Sequence, residues 1–134
     1  MDEAVWRDLS RQGEKVLAEP TVFGGVVYFT SYIPPTGSDP CSQAGRSLLY
    51  GITYNTGGGT FDSGGNKVRS MMLGNGMATA PAVSFNPHTH QPDLYVTLSG
   101  GGGSGASTIR APVTPGNFSN RTNILYWRDR RVQQ

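Results

Sequence analysis

The sequence predicts an all-β chain of antiparallel meanders, on three observations. A strand–turn–strand pattern occurs twice. "AEPTVFGGVVYFTSY" at 18–32 is echoed by "APAVSFNPHTHQPDLYVTLS" at 80–99. Pro20-Thr21-Val22 matches Pro81-Ala82-Val83, and Val27-Tyr28-Phe29-Thr30 matches Leu94-Tyr95-Val96-Thr97, with a longer turn in the second copy. Composition points the same way. The chain holds 19 Gly and 9 Pro in 134 residues, and its charged share of 15% is low for a globular protein. Third, no segment places apolar residues at the three-to-four spacing of an amphipathic helix. Repetition at tens of residues in a β-rich chain predicts a propeller or a related stack of sheets.

The elements follow in order. Residues 1–14 form a polar lead-in, with Val5, Trp6 and Leu9 as its large apolar side chains. The first repeat spans 15–59. Its opening pair is 15–23 and 26–33, joined at Gly24-Gly25, which supplies the positive torsions of a tight hairpin. Val26, Tyr28, Thr30 and Tyr32 alternate with Val27, Phe29 and Ser31, so both faces carry apolar groups. That pattern predicts a central strand covered on both sides. "PPTGSDPCSQAGR" at 34–46 is a loop of turn formers, and "SLLYGITYNTGGG" at 47–59 is a third strand. Between Phe61 and Met77 the pattern is poor. It predicts one short strand around Val68, Met71 and Met72, then a turn at Asn75-Gly76. The second repeat occupies 80–99. A Gly/Ser-rich loop is expected over 100–122, and "NILYW" at 123–127 forms the last strand.

Composition also limits function. The length suits one ordinary domain able to bury a core. A net charge of +2 is too small to predict nucleic-acid binding. Arg121, Arg128, Arg130 and Arg131 read as a solvated basic end. Residues 1–15 lack the apolar stretch of a signal peptide, and no run is long enough for a membrane-spanning helix. Cys41 is the sole cysteine. It excludes an internal disulfide and leaves an intermolecular one or a free thiol.

No motif supports catalysis. His88 and His90 lie on one side of "HTH", with Asp93 the nearest carboxylate. A metal needs at least a third ligand beside the two imidazoles, and with no Cys or Glu cluster nearby a hairpin tip is the plainer reading. "DSGGNK" at 62–67 faintly resembles a calcium loop but has one acid where several are needed. "GGGGSG" lacks the lysine and helix of a phosphate loop. No nucleophile-elbow motif is present, and Cys41 sits in a Pro-rich loop with no charged helix end to lower its pKa. Asn117 and Asn120 begin glycosylation-type triplets, which matter only in a host with that machinery. Catalytic and cofactor residues are therefore none in this reading, and Pro20, Gly25, Pro81 and Trp127 are expected to be structural.

A series of these segments resembles the C-terminal part of the PilC/PilY family, large proteins associated with type IV pili. It comprises Gly13-Glu14-Lys15-Val16, Pro20-Thr21-Val22, Gly25 to Thr30, Asp39-Pro40-Cys41, Leu49-Tyr50 and Thr56-Gly57. Pro81-Ala82-Val83, the Gly/Ser stretch and Trp127-Arg128 extend the resemblance over most of the chain. It implies a quinoprotein-like β-propeller, of which this chain would be the last two or three blades. It also implies export to the cell surface, through the periplasm or outer membrane, as a non-enzymatic component acting in pilus assembly, retraction control and adhesion. Two departures stand out. A propeller needs at least four blades of about 40–45 residues, more than this chain can hold. The family's Asp-rich calcium loop is missing, so no cofactor is expected here and calcium would belong to the rest of a full-length protein.

Two other classes compete with this expectation. One is a fragment of a quinoprotein-type dehydrogenase, whose polar cofactor ligands cannot be assembled from these residues. The other is a carbohydrate- or host-receptor-binding module using Tyr32, Tyr54 and Trp127 as exposed aromatics. Expected partners are the rest of the parent polypeptide, minor pilins, and a host receptor or glycan. Uncovered sheet faces and edges predict self-association of the isolated chain.

Overall fold

The structure is a computed structural model and describes residues 13–35, 45–89, 91–100 and 105–113. Ten strands and no helix occur among them: β1 (Lys15–Val16), β2 (Thr21–Phe23), β3 (Val26–Ile33), β4 (Arg46–Thr53), β5 (Phe61–Ser63), β6 (Asn66–Val68), β7 (Ser70–Asn75), β8 (Ala82–Phe85), β9 (Pro92–Leu98) and β10 (Ser107–Pro112). Every strand pairing is antiparallel. The all-β expectation holds; no closed barrel or propeller is seen among the described residues.

The first sheet runs β1-β3-β4-β7, with β2 also pairing β3. Gly24 and Gly25 have φ of 60° and 80° and turn β2 tightly into β3. The expected meander is present: β2 pairs β3, and β3 pairs β4 over eight residues from Val26↔Thr53 to Ile33↔Arg46. As its alternation requires, β3 is central and its apolar groups go to both faces. Val26 and Tyr28 face one side, Phe29 the other. A bulge in β7 opposite Ser47/Leu48 turns Leu73 into the core.

The second sheet, β10-β9-β8, stacks on the first. Val26, Tyr28, Leu49 and Leu73 of the first sheet form one cluster with Leu94, Val96, Leu98 and Ala111 of the second. Phe61 of the small β5–β6 sheet closes one end of it, 6.5 Å from the Tyr28 ring. A second cluster, Ile33, Leu48, Tyr50 and Ile52, lies on the opposite face of the first sheet, where Phe29 stacks on Tyr50 at 4.8 Å.

Two sequence expectations are corrected. The stretch 61–77 holds three strands where one was expected. Gly64 and Gly65, with φ of 58° and 84°, make "DSGGNK" a hairpin turn between β5 and β6 and not an ion loop. Asp62 pairs Lys67 across it at 2.8 Å. The expected loop 100–122 contains β10, whose partly buried Ile109 and buried Ala111 point inward while Thr108 and Arg110 point out. Expectations for 1–12, Cys41, His90 and the last strand with Trp127 fall outside the described residues.

Candidate functional site

The molecule's organising feature is the junction of the two sheets, and it is built from the repeat. In the first copy Thr21 pairs Tyr28 and Val22 pairs Val27. In the second Ala82 pairs Tyr95 and Val83 pairs Leu94. The residues matched by sequence are thus matched in register. The correspondence continues into the third strand, where Tyr28 faces Gly51 and Tyr95 faces Arg110.

The faces, however, exchange roles. Tyr28 is 1% exposed, whereas its counterpart Tyr95 is 37% exposed. The first sheet presents its Tyr28 face, and the second answers with the opposite side of the repeat, the Leu94 face. Phe23 on the first face meets Phe85 on the second, edge to face at 5.7 Å. The two copies therefore meet through different faces, as units stacked head to tail do.

A polar seam fixes the junction. The segment 76–81 crosses β4, β3 and β2 in turn. Ser47 Oγ donates to the Gly76 carbonyl at 2.7 Å, Thr30 Oγ1 to the Thr79 carbonyl at 3.1 Å, and Thr21 Oγ1 to the Pro81 carbonyl at 2.5 Å. On its other side the segment bonds to the second sheet. Thr79 N donates to the Thr97 carbonyl at 2.9 Å, Thr97 N to Thr79 Oγ1 at 3.1 Å, and Ser99 N to the Met77 carbonyl at 2.8 Å. Gly76 has φ of 106°, and a Cβ there would overlap the Ser99 carbonyl oxygen. Sequence reasoning missed this seam. Its only signal was three hydroxyl residues on a face otherwise apolar.

Glu14 serves the other face of the first sheet. Its Oε1 accepts from Ser31 Oγ at 2.5 Å and from the Tyr50 hydroxyl at 2.9 Å. Gly13 before it has φ of 76° and sits against Pro34. The Gly-Glu-Lys-Val stretch therefore has a structural role. Lys15 and Val16 pair Tyr32 and Ser31, and the carboxylate joins β3 to β4.

Of the candidate metal residues, His88 and Asp93 have separate surroundings, and His90 lies outside the described residues. His88 is exposed at the hairpin tip, where the Asn86 side chain accepts from its backbone N–H at 2.9 Å. Asp93 is 4% exposed and paired to Arg110 at 2.8 Å, which raises the Arg110 pKa. Among the described residues no group of three His, Cys, Asp or Glu could hold a metal ion. Of the structural candidates, Gly25 is a buried turn residue, Pro20 is exposed, and Pro81 is buried with its carbonyl in the seam. Tyr54 is 60% exposed, whereas Tyr32 is half-buried. Burial raises the pKa of Tyr28. A cleft of about 260 Å³ lies at one end of the junction, lined by Leu73, Asn75, Leu98, Ser107 and Ile109 with three glycines. None of the described residues lining it has a titratable side chain. No described helix is long and apolar enough to cross a membrane. Comparison with family models, curated proteins and solved structures returned no match.

Proposed function

We propose that the chain is a non-enzymatic surface component of type IV pili, acting in pilus assembly, retraction control and adhesion. In this reading its two sheets are equivalent to the last blades of a quinoprotein-like propeller. The observation that carries the proposal is the coincidence of sequence repeat and register, with unlike faces stacked as in consecutive blades. The resemblance to the PilC/PilY segments supplies the pilus. Its Gly-Glu, Pro-x-Val and Gly-Val-Val elements occupy the turn, edge and centre of the first sheet. The partners of such a module are the rest of its polypeptide and minor pilins, outside the cell.

Removing the gene from its piliated host tests this. Surface pili should become scarce and twitching should fall, and pili should return when the retraction motor is also removed. Unchanged piliation and motility would contradict the proposal. Quinone-dependent dye reduction by the isolated chain would contradict its non-enzymatic part.

A further inference from the structure

The register equivalence allows each stacking face to be read position by position. Positions Val26, Leu49 and Phe23 on the Tyr28 face of the first sheet correspond to Asp93, Thr108 and Ser84 on the Tyr95 face of the second. The first three pack into the junction. Thr108 and Ser84 are exposed, and Asp93 holds Arg110 in an ion pair. Arg110 itself replaces Gly51, the position that leaves room in the first sheet for Thr60 and the Phe61 ring. The opposite face of the repeat shows no such change: Val27, Phe29 and Ile52 correspond to Leu94, Val96 and Ala111.

Apolar character has thus been lost at the Val26, Leu49 and Phe23 positions of one face, with backbone register kept, while Tyr95 keeps the ring of Tyr28 and Ala82 stands where the first copy has Thr21. Seating a further sheet there would strip water from the exposed Arg110 guanidinium and bury the Ser84 hydroxyl and the Thr97–Thr108 hydroxyl pair, which is 3.2 Å apart. We propose that the β8-β9-β10 sheet is a terminal cap. Among the described residues its Tyr95 face is the outer one, and no second copy of this chain docks on it. Polar outer faces are what end repeats require for solubility. The inference rests on the register and not on the pilus reading.

Sedimentation velocity of the full chain over a wide range of concentrations tests it, with two variants. Ser84→Lys with Thr108→Lys adds charge to the exposed face and should leave the wild-type sedimentation unchanged. Asp93→Val with Thr108→Leu and Arg110→Gly restores the stacking residues of the first sheet. Provided its circular dichroism and cooperative melting match the wild type, it should shift to larger, concentration-dependent species. Dissociation of a wild-type oligomer by the lysine pair would overturn the cap. So would unchanged sedimentation of the folded restored variant. If that variant does not fold, the lysine pair alone decides. None of these outcomes bears on whether the protein works in pili.

Discussion

At the scale of single residues, position in the fold matters more than residue type. Gly76 and Gly64 both have positive φ, yet they should respond differently to alanine. At Gly64 the new Cβ meets nothing within 4 Å, so only the torsional cost of about 1–2 kcal/mol remains. At Gly76 the Cβ also strikes the Ser99 backbone, and Gly76→Ala should cost clearly more, about 3 kcal/mol, in urea unfolding. Glu14→Ala should cost about 1–3 kcal/mol, because the buried Ser31 and Tyr50 hydroxyls lose their acceptor. Tyr28 predicts an alkaline effect. Its folded pKa is raised above the ordinary 10.0, so its contribution is complete below about pH 10 and is lost as pH rises through the higher folded value. Tyr28→Phe should flatten the fall in melting temperature above pH 10. The turn at Gly24-Gly25 was legible in the sequence because apolar strands flank it, and a turn was expected at Asn75-Gly76, where Asn75 ends β7 and the chain bends at Gly76. Gly64-Gly65 was obscured because Asp62 to Lys67 are all exposed and no alternation frames the turn. The acceptor role of Glu14 depends on Ser31 and Tyr50, which are far from it in sequence.

At the scale of elements, β2, β3, β4, β8 and β9 were legible because their apolar residues alternate or run continuously between turn formers. β5, β6 and β10 were not. The first two are three-residue strands with little burial, and the inward positions of β10 include Ala111, too small to mark a pattern. The segment 76–81 was also invisible, since it is held by carbonyls and hydroxyls that leave no apolar period. Its role predicts a specific loss. Thr30→Val removes the hydroxyl that serves the Thr79 carbonyl at a 2%-exposed position, which should destabilise the chain by about 1–3 kcal/mol. Hydrogen exchange at the Thr79 and Thr97 amides, which bond across the same seam, should accelerate more than exchange within β4. Equal acceleration throughout would mean that the seam does not open separately from the sheets.

At the scale of the whole molecule, the sequence echo announced a repeat but not how its copies meet. Both copies read as a Pro-x-Val strand followed by a Tyr strand, and nothing in that pattern reveals that Tyr28 is buried while Tyr95 is a third exposed. The difference comes from stacking, because the Tyr28 face of one unit covers the Leu94 face of the next. Self-association was expected from uncovered faces, and the polar Tyr95 face now restricts where it could occur. The face-to-opposite-face junction holds the two copies together, and Phe23 with Phe85 reports on it most directly, since the two rings belong to different copies and different faces. The decisive measurement is a double-mutant cycle of Phe23→Ala and Phe85→Ala by urea unfolding. Stacked copies predict a coupling of about 0.5–1.5 kcal/mol between the two sites. Additive effects, with no coupling beyond error, would contradict the junction and with it the reading of the chain as a stack of repeated sheets.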